Sequence, residues 1–138
     1  MNKFEALDRL KSLGIIDVLH TFYIQPVPAP RMTRSDKWKK RKCAVEYFAF
    51  RDLFMIQARK QGLKELPEVL NVCFILPMPD SWSKKKKAAN LFMPHKQRPD
   101  RDNLLKSIMD AFKVDDGYCW DGRTLKLWGF EPCVIIFK

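Results

Sequence analysis

RPDRDNLLKSIMDAFKVDDGYCW, residues 98–120, is the stretch on which the reading of this chain turns. It holds five carboxylates, Asp100, Asp102, Asp110, Asp115 and Asp116, in a protein whose formal net charge is +10. Asp100 and Asp102 are two residues apart, so on an extended segment they point to the same side. Asp102 directly precedes a helical pattern in which Leu104, Leu105, Ile108, Met109 and Phe112 make one apolar face. The spacing predicts a helix that Asp102 caps, near the positive end of its dipole. Lys106 and Asp110 follow at four-residue steps and share a polar stripe with Asp102. A break after Lys113 returns Asp115 and Asp116 toward the same neighbourhood. Taken singly, each has an ordinary explanation: Asp is common at helix starts, and Lys106 with Asp110 makes a plain surface pair. Taken together they repel one another unless a cation compensates them. Carboxylates gathered at a helix start suit a hard divalent cation, because Mg²⁺ takes oxygen ligands and keeps waters.

Around this stretch the chain has 138 residues, 46% of them apolar, enough for one domain with a core that needs no staples. The N-terminus, MNKFEALDRLKS, lacks the apolar run of a signal peptide, and no segment approaches the length of a membrane span. A cytoplasmic location away from membranes is expected. Cys43, Cys73, Cys119 and Cys133 are scattered singly, without CxxC or a close Cys/His pairing, so reduced, buried thiols are expected rather than a zinc site.

Positive charge comes in blocks. Arg31 to Lys42 contains seven basic residues and one acid, Asp36. A second block, Lys84, Lys85, Lys86 and Lys87, leads through Lys96 and Arg98 to the carboxylates. Such blocks favour a polyanion through counterion release, although a solvated surface explains either one alone. Basic approaches around an acidic centre read as phosphates held at the margins.

Elsewhere, Phe4, Leu7, Leu10 and Leu13 predict a helix over 3–13 that stops at Gly14. HTFYIQ, residues 20–25, is the first strand, ended by Pro26, Pro28 and Pro30. Residues 26–42 then form an ordered basic loop. Its Arg31, Arg34 and Lys37 suit phosphates, and Trp38 suits either a sugar or base contact or an anchor in the core. Residues 43–47 are expected to be extended, followed by a helix over 48–61 with Phe50, Leu53, Phe54 and Ala58 inward. NVCFILPM, residues 71–78, reads as a half-buried strand ending near a sheet edge at Pro77. Ser81 is the expected cap of a short lysine-bearing helix. His95 is an isolated loop histidine, more often structural than catalytic. Residues 124–128 and 133–137 read as two strands whose short connection predicts an antiparallel pair. The fold class is α+β, a single compact domain with a mixed sheet packed by helices.

PDRDNLLKSIMDAF followed by VDDGYCW resembles the RusA-type Holliday junction resolvases, particularly phage-encoded members, which carry D-x-D-N-L-x-K, a further Asp and a DD pair. PVPAPRMTRSDKWKKRKCAVEYFAFRD and LPMPDSWSKKKKAA are similar to phage-type members as well, so the likeness spans residues 21–137. It implies a RusA-like fold and a crossover junction endodeoxyribonuclease, a symmetric homodimer cutting four-way DNA with Mg²⁺ or Mn²⁺. The family's essential carboxylates fall on Asp100, Asp102 and Asp116 and its lysine on Lys106, with Asp110 and Asp115 supporting and Lys126 at a basic strand position. Departures are the connection of only Lys113–Val114 before the DD pair, the extra residues 79–97 and a helical extension over 1–19. Two other readings stay open: a metal-dependent nuclease for flaps or other branched DNA, and a non-catalytic junction- or duplex-binding protein.

Overall fold

The structure, a computed structural model, describes residues 3–31 and 41–138. Arg34, Lys37 and Trp38 of the basic loop lie outside the described residues, as does the side chain of Phe4. The elements run α1 (Lys3–Ser12), β1 (Val18–Phe22), α2 (Lys42–Lys60), β2 (Asn71–Pro77), α3 (Lys84–Asn90), α4 (Arg101–Ala111), β3 (Thr124–Gly129) and β4 (Cys133–Phe137). This is an α+β fold around a mixed four-stranded sheet in the order β1-β4-β2-β3.

The two central strands are buried on both faces, as a middle position between helical layers requires. All of Val72–Leu76 in β2 and all of Cys133–Phe137 in β4 are buried. Alternation divides their side chains. Val72, Phe74, Leu76, Val134 and Ile136 join the larger core beneath α2 and α4, where Phe22, Phe54, Leu104 and Ile108 are fully enclosed. Cys73, Ile75, Cys133, Ile135 and Phe137 face the opposite side with Ile15 and Leu127, and Leu10 and Leu13 close over them. In the larger core Phe54 lies 4.3 Å from Phe22 and 5.7 Å from Phe50 between ring centroids, contacts each worth about 0.5–1.5 kcal/mol beyond their area.

The expected β3–β4 hairpin does not form. β3 pairs with β2 in parallel, β4 pairs with β2 antiparallel, and β2 lies between them. The reason is burial: a central strand must be apolar on both faces, and β3 carries Thr124 and Lys126, which suit an edge. Residues 130–132 therefore carry the chain past the end of β2. Gly129, opposite Pro77, permits the close approach, since a Cβ there would fall 2.2 Å from Ile75 Cγ2. Pro77 accordingly ends an interior strand, and residues 71–78 are more buried than the half-buried strand expected.

Other boundaries differ for local reasons. α2 begins at Lys42, with Val45 N donating to Arg41 O at 3.0 Å, so residues 43–47 are helical. Ala44 and Tyr47 continue the buried spacing of Phe50, Phe54 and Ala58, which extended backbone would break, while Leu53 is 45% exposed. β1 starts at Val18 because its partner β4 runs to Phe137, which pairs with Val18. Ser83 rather than Ser81 caps α3, its hydroxyl accepting from Lys86 N at 3.1 Å. Cys73 and Cys133 are buried thiols, pushed up to about 12 and about 11 mainly by desolvation, but Cys43 is exposed and Cys119 half-buried. Among the described residues no helix is long and apolar enough to cross a membrane.

Candidate active site

α4 is pinned by its buried side, Leu104, Ser107, Ile108, Met109 and Ala111, and this leaves Asp102, Lys106 and Asp110 along its outer stripe. Asp100, not Asp102, occupies the N-cap position; its backbone is extended and its carboxylate makes no cap bond. Asp102 sits in the first turn, where the helix dipole still favours a negative charge. The pair is thus split between extended and helical backbone and does not share the side expected of one strand.

The far end of α4 turns sharply. Lys113 takes φ 57°, and Val114 N donates to Met109 O at 3.1 Å. The following loop is anchored by the Tyr118 hydroxyl, which donates to Leu66 O at 2.7 Å. Asp116 thereby returns to α4, where its Oδ2 lies 3.9 Å from Lys106 Nζ. Both side chains are exposed, so the pairing places charge more than it stabilises the fold. Asp110 is held differently: the Tyr47 hydroxyl donates to its Oδ2 at 2.5 Å. Burial, then the Asp110 carboxylate, raise the Tyr47 phenol well above its usual range, which keeps it a donor.

The proline-rich segment docks on the start of α4 through Ala29 N donating to Asn103 O at 2.9 Å. Between them lies a cleft of about 550 Å³ lined by Arg31, Arg98, Asp100 and Asn103. Lys126 approaches this region from β3. Its ammonium donates to the carbonyls of Gln97 and Pro99 at 2.5 Å each, fastening the segment that delivers Asp100. Desolvation lowers the Lys126 pKa, and the Asp100 charge opposes that shift.

The other basic residues are placed less closely. Lys84, Lys85 and Lys86 are exposed on α3 and Lys87 is partly so, with Lys86 Nζ 4.4 Å from the Trp82 ring centroid. Lys96 is exposed, and Asp115 is exposed beside Asp116. Asp102 lines a depression with Arg101, Gly122 and Arg123, apart from the cleft of Asp100.

Among the described residues no three His, Cys, Asp or Glu side chains come together as a ready metal site. The full convergence expected of the carboxylates is therefore not preassembled. The donor set still fits a hard cation in kind, being exposed carboxylate oxygen throughout. Mg²⁺ is ordinarily held by one or two carboxylates, with waters and substrate phosphate completing its shell.

A family model described as endodeoxyribonuclease RusA matches residues 24–136, from the proline-rich segment through β4. The chain belongs to the RusA family. No curated protein and no solved structure is significantly similar to it. The match covers α4, the DD pair and β3, and leaves α1 and β1 outside. RusA membership supports nuclease activity in general.

Three residues around the RusA site carry geometry that spacing did not indicate: Tyr47 and Arg51 on α2, and His95. Helical spacing placing Tyr47 on the buried side of α2 was the available signal. His95 is 7% exposed, its ring 3.9 Å from that of Trp128, and its Nδ1 has no hydrogen-bond partner among the described residues. Burial, then the nearby Lys126 charge, lower its pKa below the ordinary 6.5. The unfolded chain therefore takes up this proton before the folded one, and His95 removes stability as pH falls below about 6.5. The urea midpoint of the wild type is expected to decline from pH 7 to pH 5 more steeply than that of His95→Gln. Parallel declines would show that His95 is not neutral in the fold.

Proposed function

We propose that this RusA-family chain resolves four-way DNA junctions by Mg²⁺-dependent paired phosphodiester hydrolysis, with Mn²⁺ able to substitute, as a homodimer. The observation that carries this reading is the return of Asp116 to Lys106 on the helix that Asp100 and Asp102 begin. Asp100, Asp102 and Asp116 would hold the Mg²⁺ ion, which would supply Lewis acidity toward the scissile phosphate and lower the pKa of an attacking water.

The protein's own groups do the rest. Lys106, with donors only, compensates charge growing on the phosphate oxygens. Arg31 and Arg98, at the rim of the Asp100 cleft, offer guanidinium forks to flanking phosphates. Lys126 holds the 97–99 carbonyls and so keeps Asp100 at the start of α4. Asp115 and Asp110 support the acidic edge, the α3 lysines and Lys96 extend the surface for DNA, and Arg34, Lys37 and Trp38 are assigned to DNA contact from their residue types alone. Each chain carries one such acidic centre, while resolution needs two symmetry-related cuts, which is what a two-fold dimer provides.

A supercoiled plasmid with an extruded cruciform tests this. Paired cuts within one binding event yield linear DNA directly, with no early build-up of relaxed circles, and EDTA abolishes both products. Equal cutting of flaps, or relaxed circles appearing first, would replace junction resolution with nicking of branched DNA. Binding without any cutting in Mg²⁺ would leave a non-catalytic DNA-binding protein.

A further inference from the structure

A second cleft, of about 470 Å³, lies between α2 and the outer side of α4, and the proposed chemistry leaves most of it unused. Arg31, Arg51, Lys106 and Lys113 line it, and among the described residues one carboxylate, Asp110, faces them. That carboxylate already accepts from the Tyr47 hydroxyl. With Lys106 paired to Asp116 and Asp110 engaged by Tyr47, the excess of positive charge in the cleft favours an entering anion.

Arg51 is fixed for such a task. Its guanidinium carbon lies 4.9 Å from the Phe48 ring centroid and 5.9 Å from that of Tyr47. Stacking on rings holds the planar fork, which also interacts with the Tyr47 hydroxyl, and its remaining donors face the cleft. Lys113 reaches the same cleft from left-handed backbone, φ 57°, just past the helix end. Glycine or asparagine ordinarily takes that position without strain. A lysine there bears a backbone cost that a merely solvated charge does not offset.

We infer that this cleft seats a DNA backbone phosphate next to, and distinct from, the one being cut, with Arg51 and Lys113 as its dedicated ligands. The inference rests on the nuclease reading above. Guanidinium and ammonium groups held in this way suit phosphate oxygens, and a backbone contact of that kind positions the strand and carries no sequence information itself. Lys106, on the shared wall, sets the seat beside the reacting phosphate.

The test measures binding by fluorescence anisotropy in EDTA, on four-way junctions each carrying one neutral methylphosphonate linkage near the cut. Wild type is expected to lose affinity several-fold at one linkage other than the scissile one. Arg51→Gln and Lys113→Asn should each bind the natural junction more weakly and lose less than wild type at that linkage. Each should also lower the slope of log affinity against log salt, by at most about 0.9, the value of one phosphate contact. Asparagine tolerates the left-handed backbone at position 113, so that variant carries the test should Arg51→Gln fail to fold. Variants as sensitive as wild type at every linkage overturn the seat, as does a wild-type response at the scissile linkage alone; in either case junction cutting in Mg²⁺ stands. A wild-type protein that binds no branched DNA overturns the nuclease reading and the seat together.

Discussion

Asp102→Asn is expected to cut junctions roughly 10²–10³-fold more slowly than wild type in Mg²⁺, the range for losing one electrostatic partner of a transition state. The substitution changes little in shape and removes one charge from the first turn of α4, where the carboxylate makes no contact that the core depends on. Junction binding in a gel-shift assay should persist, and should tighten slightly, because a negative charge near phosphate has gone. Asp100→Asn and Asp116→Asn should behave alike if the three act on one ion. Lys106→Met separates the neighbouring role: its defect should remain at saturating protein, whereas a lysine used only for binding would be rescued there. Near-normal cutting by Asp102→Asn would falsify the metal assignment.

The second large effect is expected in stability. Gly122→Ala should lower the free energy of unfolding by about 3–5 kcal/mol, the sum of backbone strain and overpacking. Gly122 has φ +130°, a conformation that L side chains rarely adopt. An added Cβ would also sit 1.9 Å from Leu70 O and 2.5 Å from its carbonyl carbon, and backbone cannot swing aside as a flexible side chain does. The clash falls where Leu70 N donates to Asp121 O at 2.9 Å, the contact that leads the DD loop into β3 beside β2. Urea unfolding should show a lower midpoint with unchanged slope. A midpoint within error of wild type would mean that this loop is not packed against Leu70 in solution. Gly62→Ala is a useful contrast, since a Cβ there meets no atom within 4 Å and only the backbone term remains.

Sequence and tertiary structure divided the work by the range of the forces involved. The RusA resemblance, the acidic stretch, α4 and the mixed α+β class were legible along the chain, because periodicity and helix-stop signals act over a few residues. Leu104, Ile108 and Met109 went where their spacing put them. Strand order was not legible. A three-residue connection between β3 and β4 argues for a hairpin, yet the middle of the sheet went to β2, since only a strand apolar on both faces can fill it. The start of α2 was missed for a related reason: Ala44 and Tyr47 are helical because the core beneath them continues. The site divides in the same way. Asp102, Lys106 and Asp110 share a stripe by helical spacing alone. The distance from Asp116 to Lys106, the Tyr47 bond to Asp110, the hold of Lys126 on the 97–99 carbonyls and the cation-lined cleft at Arg51 all join residues far apart in the chain. Contacts of that kind exist only once the sheet order has been set by burial, and no local pattern specifies them.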